Sequence, residues 1–210
     1  MAYDHQEQEQ LAEIKAWWDK NGNVVSWAAF AAVAALAAWN LWGWYERREA
    51  AGAGALYAEL LRAETAHDMA KEKEFAGTLI EQHGRTVFAA LAALKVAKAN
   101  YEAGDAAAAR AELQWVVDKS GRDDLALTAR VRLAGLLLDA KDYDGALRTL
   151  DVSVPDSHAV IFADRRGDIY AAQGKTDLAR EQWRLAIEKA GASNPVRSLV
   201  QSKLDALPNG

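Results

Sequence analysis

Residues 24–44 read VVSWAAFAAVAALAAWNLWGW, and no charged side chain stands between Asn21 and Tyr45. As a helix rising about 1.5 Å per residue, this run from Val24 to Trp44 covers roughly 31 Å, the thickness of a bilayer's hydrocarbon core. Trp17, Trp18 and Trp27 gather at one end, and Trp39, Trp42, Trp44 and Tyr45 at the other. Indole rings settle at the headgroup level, where the ring is buried and the N–H stays wet. The stretch therefore predicts a transmembrane helix over 21–45 that meets the lipid bilayer directly. Two rivals fit less well. A buried soluble helix would need an equally apolar partner, which the chain lacks. A cleaved signal peptide, with Ala35 and Ala37 as small residues for a peptidase, would need a basic leader and a shorter apolar run.

Outward on the N-terminal side, residues 1–20 form a polar tail with five acids against two lysines. Leu11, Ile14, Trp17 and Trp18 give its second half an amphipathic helical spacing suited to the interface. Asn21-Gly22-Asn23 is expected to interrupt that helix before the span. Basic residues are nearly balanced across the span, with Lys15 and Lys20 before it and Arg47 and Arg48 after it, so charge leaves the orientation open.

On the other side, residues 46–210 are long enough for one domain with a sizeable core. The formal charge of −5 divides into −3 on residues 1–20 and −2 on residues 46–210, with none between. So neutral a domain lacks the basic stripe that nucleic acid requires. Cysteine is absent, which removes disulfides and thiolate metal sites. Apolar residues recur with a period near 3.6, and no stretch alternates long enough for a strand. The predicted helices cover about 50–67, 70–82, 86–102, 105–119, 124–140, 143–151, 158–172, 175–190 and 195–206, with Gly84 as a C-cap. The fold class is all-α.

These helices repeat. With Ala109, Ala146 and Ala179 in register, the intervals are 37 and 33 residues. Twelve residues before each stands a small one, Ala97, Ala134 and Gly167, and four after each a large apolar one, Leu113, Leu150 and Trp183. The turns fall at Gly104-Asp105, Lys141-Asp142 and Gly174-Lys175. Small side chains on facing helices let an antiparallel pair pack closely, while the large residue fills the space toward the next pair. This pattern resembles the tetratricopeptide repeat, a helical hairpin of about 34 residues that stacks into a solenoid. Three repeats are expected over 86–190. Residues 50–83 read as a degenerate leading pair, with Ala76 in register but Glu64 at its small position. Residues 195–206 read as a capping helix.

No catalytic chemistry stands out. His5, His67, His83 and His158 lie in different segments without a second ligand at helical spacing, so no metal site is expected. Asp123-Asp124 read as N-cap and first-turn acids. The run Asp164, Arg165, Arg166, Asp168 reads as a solvated face with local ion pairs. No glycine-rich phosphate loop and no activated nucleophile is present, so neither a cofactor nor a small-molecule substrate is expected, and the chain does not read as an enzyme. What remains is a surface. In tetratricopeptide arrays the first helices line a groove, and that register selects Leu91, Leu94, Lys98 and Tyr101, then Thr128, Val131 and Leu138, then Ile161, Asp164, Asp168 and Ala171. Such a groove is apolar at one end and acidic at the other, the signature of protein binding. Leu91 and Leu94 have an alternative place in the core beneath the leading pair.

An acidic tail with paired aromatics, Ile14-Lys15-Ala16-Trp17-Trp18-Asp19-Lys20-Asn21-Gly22, leads into one span and then divergent repeats carrying Ala146-Leu147-Arg148-Thr149-Leu150-Asp151 and Ala163-Asp164-Arg165-Arg166-Gly167-Asp168. In that order the chain resembles the YfgM family of Gram-negative bacteria, the ancillary subunit of the SecYEG translocon. The resemblance implies a single-pass type II protein of the cell inner membrane, with the 1–20 tail cytoplasmic and the 46–210 domain periplasmic. It also implies association with the SecYEG translocon and with a membrane-anchored periplasmic chaperone of the prolyl-isomerase type, to which translocated proteins are handed over. A tetratricopeptide scaffold or assembly factor for another cell-envelope complex is the alternative.

Overall fold

A computed structural model describes residues 2–191 and 194–207, with the side chains of residues 2–8 left aside. The described residues are helical throughout, without a strand. The elements are α1 (Ala2–Thr65), α2 (Met69–His83), α3 (Val87–Glu102), α4 (Ala106–Lys119), α5 (Asp123–Asp139), α6 (Tyr143–Thr149), α7 (Asp156–Ala172), α8 (Thr176–Lys189) and α9 (Val196–Asp205). The chain divides into two compact units, Met1–Ala51 and Gly52–Gly210.

In the first unit the expected break at Asn21-Gly22-Asn23 does not occur, and α1 runs straight through it. Asn21 donates its side-chain amide to the Trp17 carbonyl at 3.0 Å, and the Trp18 indole lies against Gly22. The unfavourable propensity of three residues is about 2 kcal/mol, less than cooperative helix on both sides supplies. Asn40 repeats the device inside the apolar run, donating to the Leu36 carbonyl at 2.9 Å. That bond satisfies one of the two amide N–H donors within the helix itself. Among the described residues this helix holds the one stretch long and apolar enough to cross a membrane, and none of its apolar window is buried. That exposure removes the buried-core reading of residues 24–44. At the far end the Arg48 guanidinium sits 5.4 Å from the Trp44 ring centre, a cation–π contact.

The second unit is a row of hairpins, each closed by the same turn. His67, Gly104, Lys141 and Gly174 adopt left-handed φ angles of 55°, 83°, 59° and 74°. The next residue's N–H reaches back to the carbonyl five residues earlier, Asp68 to Ala63, Asp105 to Asn100, Asp142 to Leu137 and Lys175 to Tyr170, at 2.8–2.9 Å. Asp68, Asp105 and Asp142 then cap the following helix, accepting from Lys71, Ala108 and Gly145. Each such cap contributes about 1 kcal/mol. Lys175 has no side-chain cap.

This turn corrects the register of the leading pair. His67-Asp68 lies 37 residues before Gly104-Asp105, which puts Glu72, not Ala76, opposite Ala109. Leu60 then takes the small position and Ala76 the large one, and both are buried. Large and small have exchanged places, so the crossing is still filled. Glu72 is buried at the contact, and desolvation raises its carboxyl above the usual range, with the Glu64 charge adding to the rise.

In the other hairpins the register holds. Ala97, Ala109, Ala134, Ala146, Gly167 and Ala179 are all buried, and so are Leu113, Leu150 and Trp183. Phe162, fully buried, carries the central core from α5 into α7, and Trp115 packs on both the leading and the central cluster. Val200 of α9 closes the last cluster with Trp183 and Ala186. Gly84 is the C-cap of α2, but in a right-handed conformation. There a Cβ would press on the Ile80 carbonyl at 2.7 Å, so close approach rather than φ calls for glycine. Asp123 and Asp124 both belong to the first turn of α5, with Arg122 at the N-cap.

Gly167 is the position where one methyl group decides the packing, since a Cβ there runs into the Trp183 indole. Gly167→Ala should lower stability by about 1–3 kcal/mol through overpacking. Lys141→Gly should raise it by about 1 kcal/mol by relieving the left-handed strain. Urea titration of both variants measures the two shifts, and the opposite signs test turn and crossing separately.

Candidate functional site

The first helices of successive hairpins, α3, α5 and α7, pack side by side. Between them opens a cavity of about 460 Å³. Ala97, Lys98 and Tyr101 of α3 form one wall, with Leu113 of α4 at the floor. Arg132, Gly135, Leu136 and Asp139 of α5 form the other, and Arg165 enters from α7.

Only part of the expected groove lines this cavity. Lys98 and Tyr101 do, and both are exposed. Leu94 is buried in the central core, packed with Ala93, Leu113 and Leu133 rather than held under the leading pair. Val131, Leu138 and Ile161 also pack against that core. Leu91, Thr128 and Ala171 are half-buried and lie outside the cavity. The wall on α5 therefore lies one residue further along than expected, at 132, 135–136 and 139. Residues 131 and 138 turn inward because their branched side chains fill the interface between hairpins, and half-buried there each gains part of the about 1.5–3 kcal/mol that full burial provides.

The sequence signal for the missed wall was present: Arg132, Gly135, Leu136 and Asp139 recur at i, i+3, i+4 and i+7, one face of a helix. Each polar member has a fixed partner. The Tyr101 hydroxyl donates to Asp139 Oδ2 at 2.7 Å. That bond, with the Asp139 charge, raises the phenol above its usual range. Arg132 Nη1 donates to the Leu94 carbonyl at 3.1 Å, a bond that joins α5 to α3.

The acidic end of the groove is also corrected. Asp164 and Asp168 do not face open solvent, because Lys203 of α9 reaches them at 2.6 and 2.7 Å. Their side chains keep 18% and 20% of their exposure, and that of Lys203 25%, so the trio is largely withdrawn from water. Burial of Asp168 outweighs the Lys203 hydrogen bond and holds its carboxyl above the usual range, with the Asp164 charge adding to the rise. Arg165 is left with a longer contact to the other oxygen of Asp168, at 3.6 Å. Arg166 donates to the Leu150 carbonyl at 2.6 Å, at the C-terminal end of α6. The charge run on α7 is thus a set of internal ties, and the solvated-face reading is withdrawn.

Among the described residues no group of three His, Cys, Asp or Glu side chains could hold a metal ion. His67, His83 and His158 stand apart in the chain, and the His5 side chain lies outside the described residues.

A family model described as a tetratricopeptide repeat-like domain matches residues 15–209. A protein of Neisseria gonorrhoeae named ancillary SecYEG translocon subunit is 31% identical, over 99% of this chain and 100% of its own length. The chain belongs to the YfgM family. Proteins of the same name from Haemophilus influenzae and Escherichia coli are each 26% identical, and cover 99% and 96% of this chain. The matches run through the apolar stretch of α1 as well as the hairpins of this YfgM-family chain. No solved structure matches it. A helix long and apolar enough to cross a membrane, followed by a tetratricopeptide-like array, fits an inner-membrane protein.

The Lys203 tie gives a testable consequence. Lys203→Ala leaves two largely buried carboxylates facing each other, and should cost roughly 2 kcal/mol at pH 7.5, between the values for exposed and buried pairs. The carboxyl of Asp168 already sits high in the folded state. As the pH falls, the folded variant takes up a proton before the unfolded chain does, so its stability recovers. Urea melts at pH 7.5 and 5.0 should show the deficit shrinking on acidification; an equal deficit at both marks lost packing alone.

Proposed function

We propose that this chain is a membrane-tethered protein-binding module that works beside the SecYEG translocon. The observation that carries the reading is the full-length match to proteins named ancillary SecYEG translocon subunits, running through both span and hairpins. In this reading residues 1–20 form a cytoplasmic tail, 21–45 cross the inner membrane and 46–210 form a periplasmic array. Within that array, 50–83 are a leading helix pair, 86–190 three repeats and 195–206 a cap. The binding surface is the cavity between α3, α5 and α7, with Lys98 and Tyr101 on its open side. Its occupant is a protein segment: a newly translocated chain, or the membrane-anchored prolyl-isomerase-type chaperone to which that chain is handed over. The polar walls with an apolar floor support protein binding rather than chemistry on a small molecule.

The span's contribution follows from its sides. Ala28, Ala31, Ala35 and Ala38 leave the helix backbone approachable, which supports packing on other membrane helices.

The chain contains no cysteine, so single cysteines report topology cleanly. With Glu9→Cys and Ser198→Cys, a membrane-impermeant maleimide should label position 198 from the periplasm, and position 9 only after the inner membrane is opened; the reverse order overturns the orientation. Photo-crosslinkers at Lys98, Tyr101 and Leu36 should capture translocon subunits in intact membranes, while one at exposed Glu188 captures few. A dominant partner from another envelope complex would replace the translocon reading with that of a scaffold or assembly factor. Full partner capture after residues 24–44 are exchanged for an unrelated span would remove the span from the interface.

A further inference from the structure

The cavity between α3, α5 and α7 is unbalanced in charge. Lys98, Arg132 and Arg165 line it against a single carboxylate, Asp139. That carboxylate is itself engaged, since Tyr101 donates to it at 2.7 Å. Lys98 has only a loose, exposed pair with Glu102 at 3.5 Å. Arg132 spends one N–H on the Leu94 carbonyl, a neutral acceptor that leaves its charge uncompensated. Arg165 is the sharpest case. Its nearest acid, Asp168, is held by Lys203 at 2.7 Å and meets Arg165 only at 3.6 Å. The Arg165 Nε is buried and has no hydrogen-bond partner among the described residues. The guanidinium is thus short of acceptors within the chain, and its Cζ, Nη1 and Nη2 lie over Gly135, a residue of the cavity wall.

Gly135 adds no side chain to the cavity wall, and a Cβ there would stand 3.5 Å from the Arg165 guanidinium, an ordinary contact distance. Any larger side chain at 135 would enter the cavity. The apolar surfaces of Ala97, Leu113 and Leu136 line the same cavity as the cations. At about 460 Å³ it has room for a few side chains, beyond what a lone inorganic anion fills.

We infer that this cavity is a carboxylate seat for an acidic peptide segment: an Asp or Glu side chain lies between Arg132 and Arg165, Lys98 screens it at the mouth, and a neighbouring apolar side chain rests on Leu113 and Leu136. The inference rests on the groove being the partner-binding surface proposed above, and names the chemistry of the segment it takes. Arginine suits the role because its fork pairs with both carboxylate oxygens.

The test uses the full chain in non-ionic detergent and two fluorescein-labelled decapeptides, one centred on Leu-Asp-Glu-Leu and the other on Leu-Asn-Gln-Leu. By fluorescence anisotropy the acidic peptide should bind at least about tenfold more tightly, as expected for charge-assisted hydrogen bonds, and lose that advantage as salt rises. Arg132→Gln and Arg165→Gln should each weaken it about tenfold, while Arg110→Gln, exposed on α4 and outside the cavity, leaves it unchanged. Thermal melts check folding. Lys98→Gln, on an exposed side chain, should weaken binding without threatening the fold, and Gly135→Leu should block it by filling the seat. Equal affinity for the two peptides overturns the proposal, as does unchanged binding in Lys98→Gln together with Gly135→Leu. Displacement of the acidic peptide by dilute inorganic phosphate, or by vesicles of anionic phospholipid but not neutral ones, also overturns it in favour of an anion or lipid site. If the peptide result fails while groove crosslinks still reach the translocon, only the carboxylate seat is lost; if the crosslinks fail while the peptide still binds, only the translocon reading is.

Discussion

A left-handed residue followed by a helix cap is the constraint on which the hairpin array depends. At Gly104-Asp105 and Lys141-Asp142 the turn satisfies the last carbonyls of one helix and the first amide of the next within a few residues. A chain reversed so tightly has little freedom left in how its two helices cross. The small residues at the crossing then decide how closely they approach, and Ala97, Ala109, Ala134 and Ala146 are all buried. Leu113, Leu150 and Trp183 fill the space toward the next hairpin. The leading hairpin shows that the turn takes precedence over the side chains. It keeps His67-Asp68 and its bonds while exchanging large and small at Leu60 and Ala76.

Close crossing also sets where charge collects. Because the hairpins stack through their cores, the polar residues of the first helices are collected on one side, and α3, α5 and α7 present Lys98, Arg132 and Arg165 to one cavity. Of the acids nearby, Asp164 and Asp168 are taken up by Lys203, while Asp139 stays in the cavity with its charge and accepts from Tyr101. The C-terminal helix therefore does more than cover the last core cluster. By taking the nearer oxygen of Asp168 it leaves Arg165 only a longer pair with that carboxylate, at 3.6 Å.

Much of this was legible in the sequence. Helix positions follow from hydrophobic period and from caps, and most ends fall within two residues of expectation because the signals that set them are local. The exceptions are instructive. Asn21-Gly22-Asn23 carries a breaker composition, yet the helix continues because Asn21 bonds to Trp17 and Trp18 covers Gly22. Ala76 looked like the register residue because small residues are frequent in this chain, and only the turn geometry at His67 moved the register to Glu72. The repeat register selects Lys98 and Tyr101, which line the cavity. It does not select Arg132, Asp139 and Arg165, because it identifies a helix face only to within about one residue, or 100° of arc.

By itself, then, the sequence determined an apolar helix long enough to cross a bilayer, an all-α repeat array and its membership in one family. Those are properties of composition and of order along the chain. The tertiary structure alone decided which side of each first helix faces outward, that Leu94 belongs to the core with Val131 and Ile161 packed against it, and that Lys203 pairs with acids 35 and 39 residues before it. The physical reason is the same in each case. Hydrophobic period and capping act over a turn or two of helix. The rotation between stacked hairpins, and the pairing of charges across it, emerge only when every large side chain has found its space.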